Sequence, residues 1–158
     1  KRIFGKDGED VFLAGIIHDI GLIVENQMVG EQLREACKAF REGKGTLVDC
    51  ERNAIGADHA EVGYLLTKEW GLPQEVLNSI KSHHLSKQVK SVSSAGSILQ
   101  LAEYMAGKMQ YWPIPGPVEA LPPELTEHVK EKVADYKIII RDLPGEMAKA
   151  KELYESDE

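Results

Sequence analysis

A histidine and an aspartate stand side by side in the longest apolar stretch of the chain. The stretch VFLAGIIHDIGLIV covers residues 11–24, and His18 and Asp19 are its two polar residues. An unpartnered buried carboxylate costs roughly several kcal/mol, so Asp19 needs a counter-charge, a proton or a metal ion. No Lys or Arg lies between Lys6 and Arg34. The partner of Asp19 must therefore come from elsewhere in the fold.

Later segments of the chain offer more donor atoms of the same kind. His59 lies at the expected start of a helix, the pair His83–His84 lies at the expected end of another, and Glu103 is on the helix that follows. Neutral imidazole and carboxylate groups are the usual protein ligands of zinc, iron and manganese. A cation held by these groups would also neutralise Asp19. Taken together, the residues favour a divalent metal site.

Each of these residues also has an ordinary structural interpretation. His18 can bond to a backbone carbonyl while Asp19 caps a neighbouring helix, and His59 can lie exposed in a first helical turn. Positive charge on the pair His83–His84 would suit the negative end of a helix dipole. Glu103, taken alone, is more typical of a solvent-facing glutamate. Only the combination of these residues argues for a metal.

The elements that must position these residues are all predicted to be helices, because nearly every segment has helical period and none alternates cleanly. We expect a first helix from about Asp7 or Glu9, interrupted or bent at Gly21. Asp58 and Glu61 form a capping-box pattern at the start of the helix that carries His59. The remaining predicted helices of this part cover residues 31–42, 47–55, 73–84 and 94–109.

The C-terminal third has a different composition. Five of the seven prolines lie within residues 113–123, which predicts a loop. Helical spacing returns over residues 125–140, is expected to break at residues 142–144, and gives way to a short charged helix. The predicted organisation is a helical core over residues 1–110, a Pro-rich loop over 111–123 and a helical extension over 124–158.

Composition excludes some functional classes. The 158 residues suffice for one compact domain, and the formal charge of −7 argues against a nucleic-acid surface. The fourteen-residue apolar run is too short for a membrane span and carries Asp19 at its centre. Cys37 and Cys50 lack metal-type spacing and are expected to be small buried hydrophobes. We therefore expect a cytoplasmic protein that binds neither nucleic acid nor membranes.

Four motifs in order resemble the HD superfamily of metal-dependent phosphohydrolases. They are HDIG (18–21), GADHAEVG (56–63), WGLP with SHH (70–73 and 82–84) and LAEYMA (101–106). The stretch from residue 51 to residue 84 is similar to the HDOD subgroup, the HD-related output domains of bacterial signalling proteins. The resemblance covers about residues 11–109. It implies an HD-domain-like helical bundle, here with additional C-terminal helices.

The resemblance also implies a ligand set and a role for Asp19. His18, Asp19 and Glu103 would hold a first divalent ion, and the accessory ligands His59 and His83–His84 would hold a second. The ions expected are Fe, Mn, Zn or Mg, one or two per chain. In an active member of the superfamily, Asp19 would be the catalytic metal ligand.

Three departures from the superfamily pattern favour regulation over catalysis. The first His of the pattern is not in this chain, which suggests that the chain holds the C-terminal portion of the family domain. Glu103 stands where the superfamily has Asp, and Leu22 stands where the cyclic-dinucleotide phosphodiesterase branch has Lys.

We therefore expect a signalling or regulatory domain with a degenerate metal site. It would act through other signalling domains or proteins, or through a homodimer. The YWPIPGP loop (111–117), with Tyr111 and Trp112, is either a contact for such partners or a segment packed on its own core, and packing is the more common case. The alternative function is an active phosphohydrolase on a nucleotide or phosphorylated signal. A third and weaker hypothesis is a metal or oxygen sensor that uses the same ligands without hydrolysis.

Overall fold

The computed structural model describes residues 3–5, 8–84, 89, 91–112 and 114–155, with side chains up to residue 152. The regular elements in those ranges are helices, and no strand is present there, which confirms the all-α fold class. The helices are α1 (Glu9–Ile17), α2 (Ile20–Arg41), α3 (Leu47–Ala54), α4 (His59–Glu69), α5 (Gln74–Ser82), α6 (Ala95–Lys108), α7 (Pro123–Glu131) and α8 (Val133–Glu155).

The break in the first apolar segment lies at His18 and Asp19, and the predicted interruption at Gly21 is wrong. Asp19 has non-helical angles (φ −94°, ψ 12°) and precedes α2, whereas Gly21 is inside that helix. The helix predicted over residues 31–42 is the second half of α2, which is kinked at Val29 (φ −140°, ψ 42°). The break turns the two polar residues out of the regular helix and towards the neighbouring helices.

Side-chain caps fix the starts of α3, α4 and α6, three of the helices around the candidate site. The Asp58 side chain accepts the backbone N–H of Glu61 at 2.9 Å, which is one half of the predicted capping box. A capping box with both bonds is formed instead at the start of α3, by Thr46 and Asp49. The Ser94 side chain caps α6 in the same way. Since such caps satisfy orphan N–H groups, the sequence located these helix starts well.

Two predictions for the C-terminal extension are wrong. The segment predicted as one helix over residues 125–140 divides at Lys132 (φ −109°, ψ 22°) into α7 and α8. The predicted break at residues 142–144 is absent, because α8 continues through Pro144 to Glu155. Proline has no backbone N–H, so Pro144 cannot donate a helix hydrogen bond to the carbonyl of Ile140. Ile140 is 43% exposed, so water can satisfy that carbonyl and the helix can continue.

Close backbone contact between α2 and α4 brings the candidate residues together. A Cβ atom at Gly21 would overlap the carbonyl oxygen of His59 and lie 2.7 Å from its carbonyl carbon. On α4, a Cβ atom at Gly63 would lie 3.3 Å from methyl groups of Ile20 and Ile80. The absence of side chains at these two positions is what allows α2 and α4 to touch.

Buried apolar residues form separate clusters around this crossing. Ala14, Val76, Ile80 and Leu99 join α1, α5 and α6. Phe40 and Cys50 join α2 to α3, and Leu125 and Tyr136 pack the C-terminal helices against α6. Both cysteines are free; Cys50 is buried and Cys37 is partly buried.

The N-terminal helices leave part of their apolar surface exposed. Phe12, Ile16 and Ile23 are each more than half exposed. Within the described residues, the segment Glu9–Arg41 is long and apolar enough to cross a membrane by length and composition alone. Core helices of soluble proteins and signal sequences meet the same criterion. The cytoplasmic location and the absence of membrane binding therefore stay predictions.

Candidate metal centre

All six sequence-predicted ligands lie around one point in the fold. His18 and Asp19 come from the junction of α1 and α2, and His59 is the first residue of α4. His83 ends α5, His84 follows it, and Glu103 is in the middle of α6. The ordinary interpretation of His59 as an exposed residue is wrong, because its side chain is fully buried. Glu103 is 18% exposed and faces the histidines, so it is not solvent-facing.

One group of donor atoms consists of three imidazoles and one carboxylate. The Nε2 atom of His59 lies 3.3 Å from Nε2 of His83 and 3.0 Å from Nε2 of His84. The Oδ1 atom of Asp19 lies 3.6 Å from Nε2 of His59 and from Nε2 of His83. The donor atoms of these four residues all lie within 4.8 Å of one another.

A second group shares Asp19 with the first. The Nε2 atom of His18 lies 3.2 Å from Oδ2 of Asp19 and 3.2 Å from Oε1 of Glu103. Asp19 therefore directs one oxygen to each group, as a carboxylate between two cations would. The superfamily resemblance implies two ligand sets as well, but it assigns Asp19 to the set of His18 alone, whereas Asp19 here also lies beside His59 and His83.

Hydrogen bonds on the outer side of three imidazoles determine which nitrogen faces inwards. The Nδ1 atoms of His18 and His83 lie 2.8 Å from the carbonyl of Gly15 and 2.6 Å from that of Ile80. The Nδ1 atom of His59 lies 2.7 Å from Oε2 of Glu51. Since all three partners can only accept, each Nδ1 must donate a hydrogen. When the rings are neutral, as a bound metal ion requires, the inward Nε2 atoms carry the lone pairs, which is the usual arrangement of metal-binding histidines.

Glu51 is a member of the centre that the sequence reasoning missed. Its carboxylate is fully buried and accepts from both the ring and the backbone N–H of His59, the latter at 3.1 Å. The available signal was its position on α3, three residues after Val48 and four after Leu47, which places a glutamate on the apolar face. The buried Glu25 on α2, which lies close enough to perturb Glu51 and His59 electrostatically, was missed as well.

The electrostatics of the centre are dominated by mutual pairing. Burial disfavours charge on His18, but hydrogen bonds and charge from Asp19 and Glu103 outweigh it and raise its pKa to about 10. Burial likewise opposes ionisation of Asp19, yet His18 and His83 hold its pKa below the usual range. Burial and the neighbouring imidazoles of His83 and His59 lower the pKa of His84 well below its ordinary value. A proton on His18 thus supplies the counter-charge that a metal ion would replace.

The geometry of the donor set fits a divalent ion. Ligand atoms bound at about 2.0–2.2 Å around one tetrahedral zinc ion lie about 3.3 Å apart. The four separations given above for the first group, 3.0–3.6 Å, bracket that value, and all of its donor atoms lie within 4.8 Å of one another. Inward lone pairs at these separations repel one another unless a proton or a cation lies between them. The residues present therefore fit the group that the fold implies.

The centre opens into a cavity of about 800 Å³, measured with its solvent-open mouth. The loop segments 111–112 and 114–122 contribute to one side, where Trp112 packs on Phe40 at 6.3 Å between ring centroids. The indole N–H of Trp112 donates to the carbonyl of Glu103 at 3.0 Å. Trp112 is thus packed on its own core, as the more common interpretation expected, while Tyr111 is 36% exposed.

Comparison with known proteins places the chain in a family. The HDOD domain family matches residues 1–86, which include every candidate ligand except Glu103. An uncharacterized protein of Treponema pallidum (strain Nichols) is 31% identical over 77 residues, which cover 48% of this chain and 15% of that protein. The chain thus spans a small part of that relative's length. No solved structure matches the chain.

The match lies in the N-terminal part of the chain, and it does not test the expectation that the chain holds the C-terminal portion of the family domain. The boundaries proposed at residues 110 and 123 likewise stay predictions. The match spans more than half of the 158 residues, and the chain belongs to the HDOD family.

Proposed function

We propose that this protein is an HD-related regulatory domain that binds a divalent metal ion at the centre described above. The observation that carries the proposal is the convergence of Asp19, His59, His83 and His84, whose donor atoms lie within 4.8 Å of one another. Membership of the HDOD family supports a signalling or regulatory role. Its output would be contacts with other signalling domains or proteins, or with a second copy of the chain.

The chain's own residues would divide between two ions. Asp19, His59 and the pair His83–His84 would hold one ion, and His18, Asp19 and Glu103 would hold another. When bound, an ion supplies positive charge and Lewis acidity. In a regulatory domain only the positive charge of the ion would be needed. The donors that it would join come from the α1–α2 junction, α4, the end of α5 and α6. Metal binding would therefore fix the relative positions of four parts of the bundle.

A second candidate function is hydrolysis of a nucleotide or phosphorylated signal. The sharing of Asp19 between two donor groups favours it, because two-metal phosphoryl-transfer sites hold their ions in adjoining positions. Asp19 would then be the catalytic metal ligand. The described residues that line the cavity include no Lys or Arg, whereas phosphate sites ordinarily use such side chains. That composition favours the regulatory function.

Metal analysis tests the proposal. The purified protein is stripped with chelator, reloaded separately with Zn²⁺, Mn²⁺ and Fe²⁺, and analysed for bound metal by mass spectrometry. We expect one or two equivalents in the wild type and a loss of at least one in Asp19→Ala. His128→Ala is the matched control, since His128 stacks on Phe4 at 5.1 Å, outside the centre.

The outcomes separate the functions. A wild-type protein that remains metal-free after reloading contradicts the proposal. Turnover of nucleoside triphosphates or of a phosphodiester by the loaded wild type, abolished in Asp19→Ala, would establish the phosphohydrolase instead. Bound metal without turnover supports the regulatory domain.

A further inference from the structure

The walls of the cavity next to the metal centre are largely apolar and aromatic. Phe40 from α2, Tyr104 from α6 and Trp112 from the loop contribute rings, and Leu22 and Leu121 contribute aliphatic surface. Rings of this kind bind planar apolar groups through their faces and edges. Because the indole N–H of Trp112 is already donated to the carbonyl of Glu103, this residue offers the cavity mainly its ring.

The cavity walls contain acidic side chains next to the histidines. Asp19, Glu103 and Glu119 line the cavity, and no described lining residue is Lys or Arg. Lys108 lies 5.3 Å from the centroid of the Tyr104 ring but is not among the lining residues. Asp19 and Glu103 are paired with His18, and the described walls add no Lys or Arg, so a bound metal would be the main attraction for a ligand's negative charge. A nucleotide polyphosphate is poorly suited to such walls.

One polar atom of the cavity has no partner in the described part of the chain. The Gln100 side chain lines the cavity, and its Nε2 donates to the carbonyl of Ser82 at 3.2 Å. That bond orients the amide and leaves Oε1 as a buried acceptor without a hydrogen bond. A buried acceptor of this kind costs free energy unless it receives a hydrogen. Oε1 has no surface open to the cavity, so a ligand there does not reach it, and the amide joins α6 to the end of α5 as part of the wall.

We propose that the cavity binds a small aromatic molecule that is neutral or carries a single negative charge. Its ring lies beside Phe40, Tyr104 and Trp112, which line the cavity. One further oxygen or nitrogen atom reaches the metal centre, and this contact rests on the proposed function. The cavity is a cleft that opens to solvent on one side, as small-molecule sites commonly are.

The test uses the protein's own fluorescence. The chain has two tryptophans; Trp70 is 54% exposed at the end of α4. The Trp70→Phe variant leaves Trp112 as the single reporter, inside the cavity wall. Zinc-loaded Trp70→Phe is titrated with benzohydroxamate, with acetohydroxamate, which has the same metal-binding group without the ring, and with pyrophosphate.

We expect benzohydroxamate to change Trp112 fluorescence and to bind about tenfold or more tightly than acetohydroxamate, with pyrophosphate the weakest. Tyr104→Ala should remove most of the preference for the ring. Leu65→Ala, an exposed residue on α4, is the control and should leave the preference unchanged. Equal affinities for the two hydroxamates, or tighter binding of pyrophosphate, would overturn the proposal without any variant being needed.

A failure of metal binding is distinguishable from a failure of this inference. If the protein takes up no zinc, the metal-free Trp70→Phe variant is titrated with benzamide, which has a ring and an N–H donor but no strong metal-binding group. A saturable change in Trp112 fluorescence then supports the aromatic site although the proposed function has failed. No change up to the solubility limit of benzamide overturns the aromatic site too.

Discussion

Replacing Glu25 by glutamine should remove a pH-dependent loss of stability. Glu25 is 2% exposed, and neither of its carboxylate oxygens has a hydrogen-bond partner among the described residues. Burial, reinforced by the charges of Glu51 and Asp58, raises the pKa of its carboxyl group to about 7, although His59 acts in the opposite direction. The folded protein therefore favours the protonated, neutral form of this side chain.

The size of the effect follows from the difference between the folded and unfolded states. The pKa is about 7 in the folded protein, against an ordinary value of 4.5. Between these values the folded state binds more protons, so the stabilisation is fully present below about pH 4.5 and is lost as pH rises through 7. At about 1.4 kcal/mol per pKa unit, the loss amounts to about 3 kcal/mol by pH 8.

Urea unfolding of the metal-free protein at several pH values between 5 and 8 measures this contribution. Glu25→Gln imitates the protonated carboxyl group, so its advantage over the wild type should grow by up to about 3 kcal/mol across the range. Glu35→Gln, an exposed change on the same helix, is the control for general charge effects. A stability difference between wild type and Glu25→Gln that is independent of pH would refute the assignment of the buried proton to Glu25.

The remaining predictions concern the α2–α4 crossing and the residue behind His59. Gly21→Ala places a methyl group against the backbone of His59 and should destabilise the protein by about 1–3 kcal/mol or more, together with a loss of zinc affinity. Gly30→Ala is the control on the same helix, where the added Cβ atom would lie 3.6 Å from its nearest neighbour, and it should be neutral or stabilising in thermal unfolding. Equal effects of the two changes would contradict the backbone contact between Gly21 and His59. Glu51→Gln should weaken zinc binding by about 10–100-fold and shift the visible spectrum of the Co²⁺-loaded protein. An unchanged spectrum, matching that of the exposed control Glu61→Gln, would show that Glu51 does not act through His59.

The sequence predicted well those features that depend on local chemistry. The start of α4 follows from Asp58, whose side chain caps it, and the start of α6 follows from Ser94. The motif order brought six candidate ligands into one set, and the structure places their side chains around one point. Their role as metal ligands stays a prediction, with the metal analysis above as its test.

Features that depend on tertiary packing could not be predicted in the same way. In the sequence, Glu51 and Glu25 look like ordinary exposed glutamates of helices. They are buried because α2, α3 and α4 pack together. Gly21 was expected to interrupt a helix because glycine weakens helices, whereas its function in the fold is to admit the backbone of α4. Pro144 was expected to end a helix, yet α8 continues through it where the neighbouring Ile140 is exposed.

The missing side chain at Gly21 also restricts how the bundle can move. Main-chain atoms of two helices rest directly on each other there, and the methyl groups of Ile20 and Ile80 enclose Gly63 from both sides. Sliding of α2 along α4 would drive backbone into backbone, which makes this crossing a fixed pivot. The opposite wall is tied to α6 more lightly, by the indole bond of Trp112 and the packing of Gly107 against that ring. A change inside the cavity therefore meets side-chain packing at this wall, where a Cβ atom at Gly116 would overlap the Phe40 ring, and backbone packing at the α2–α4 crossing.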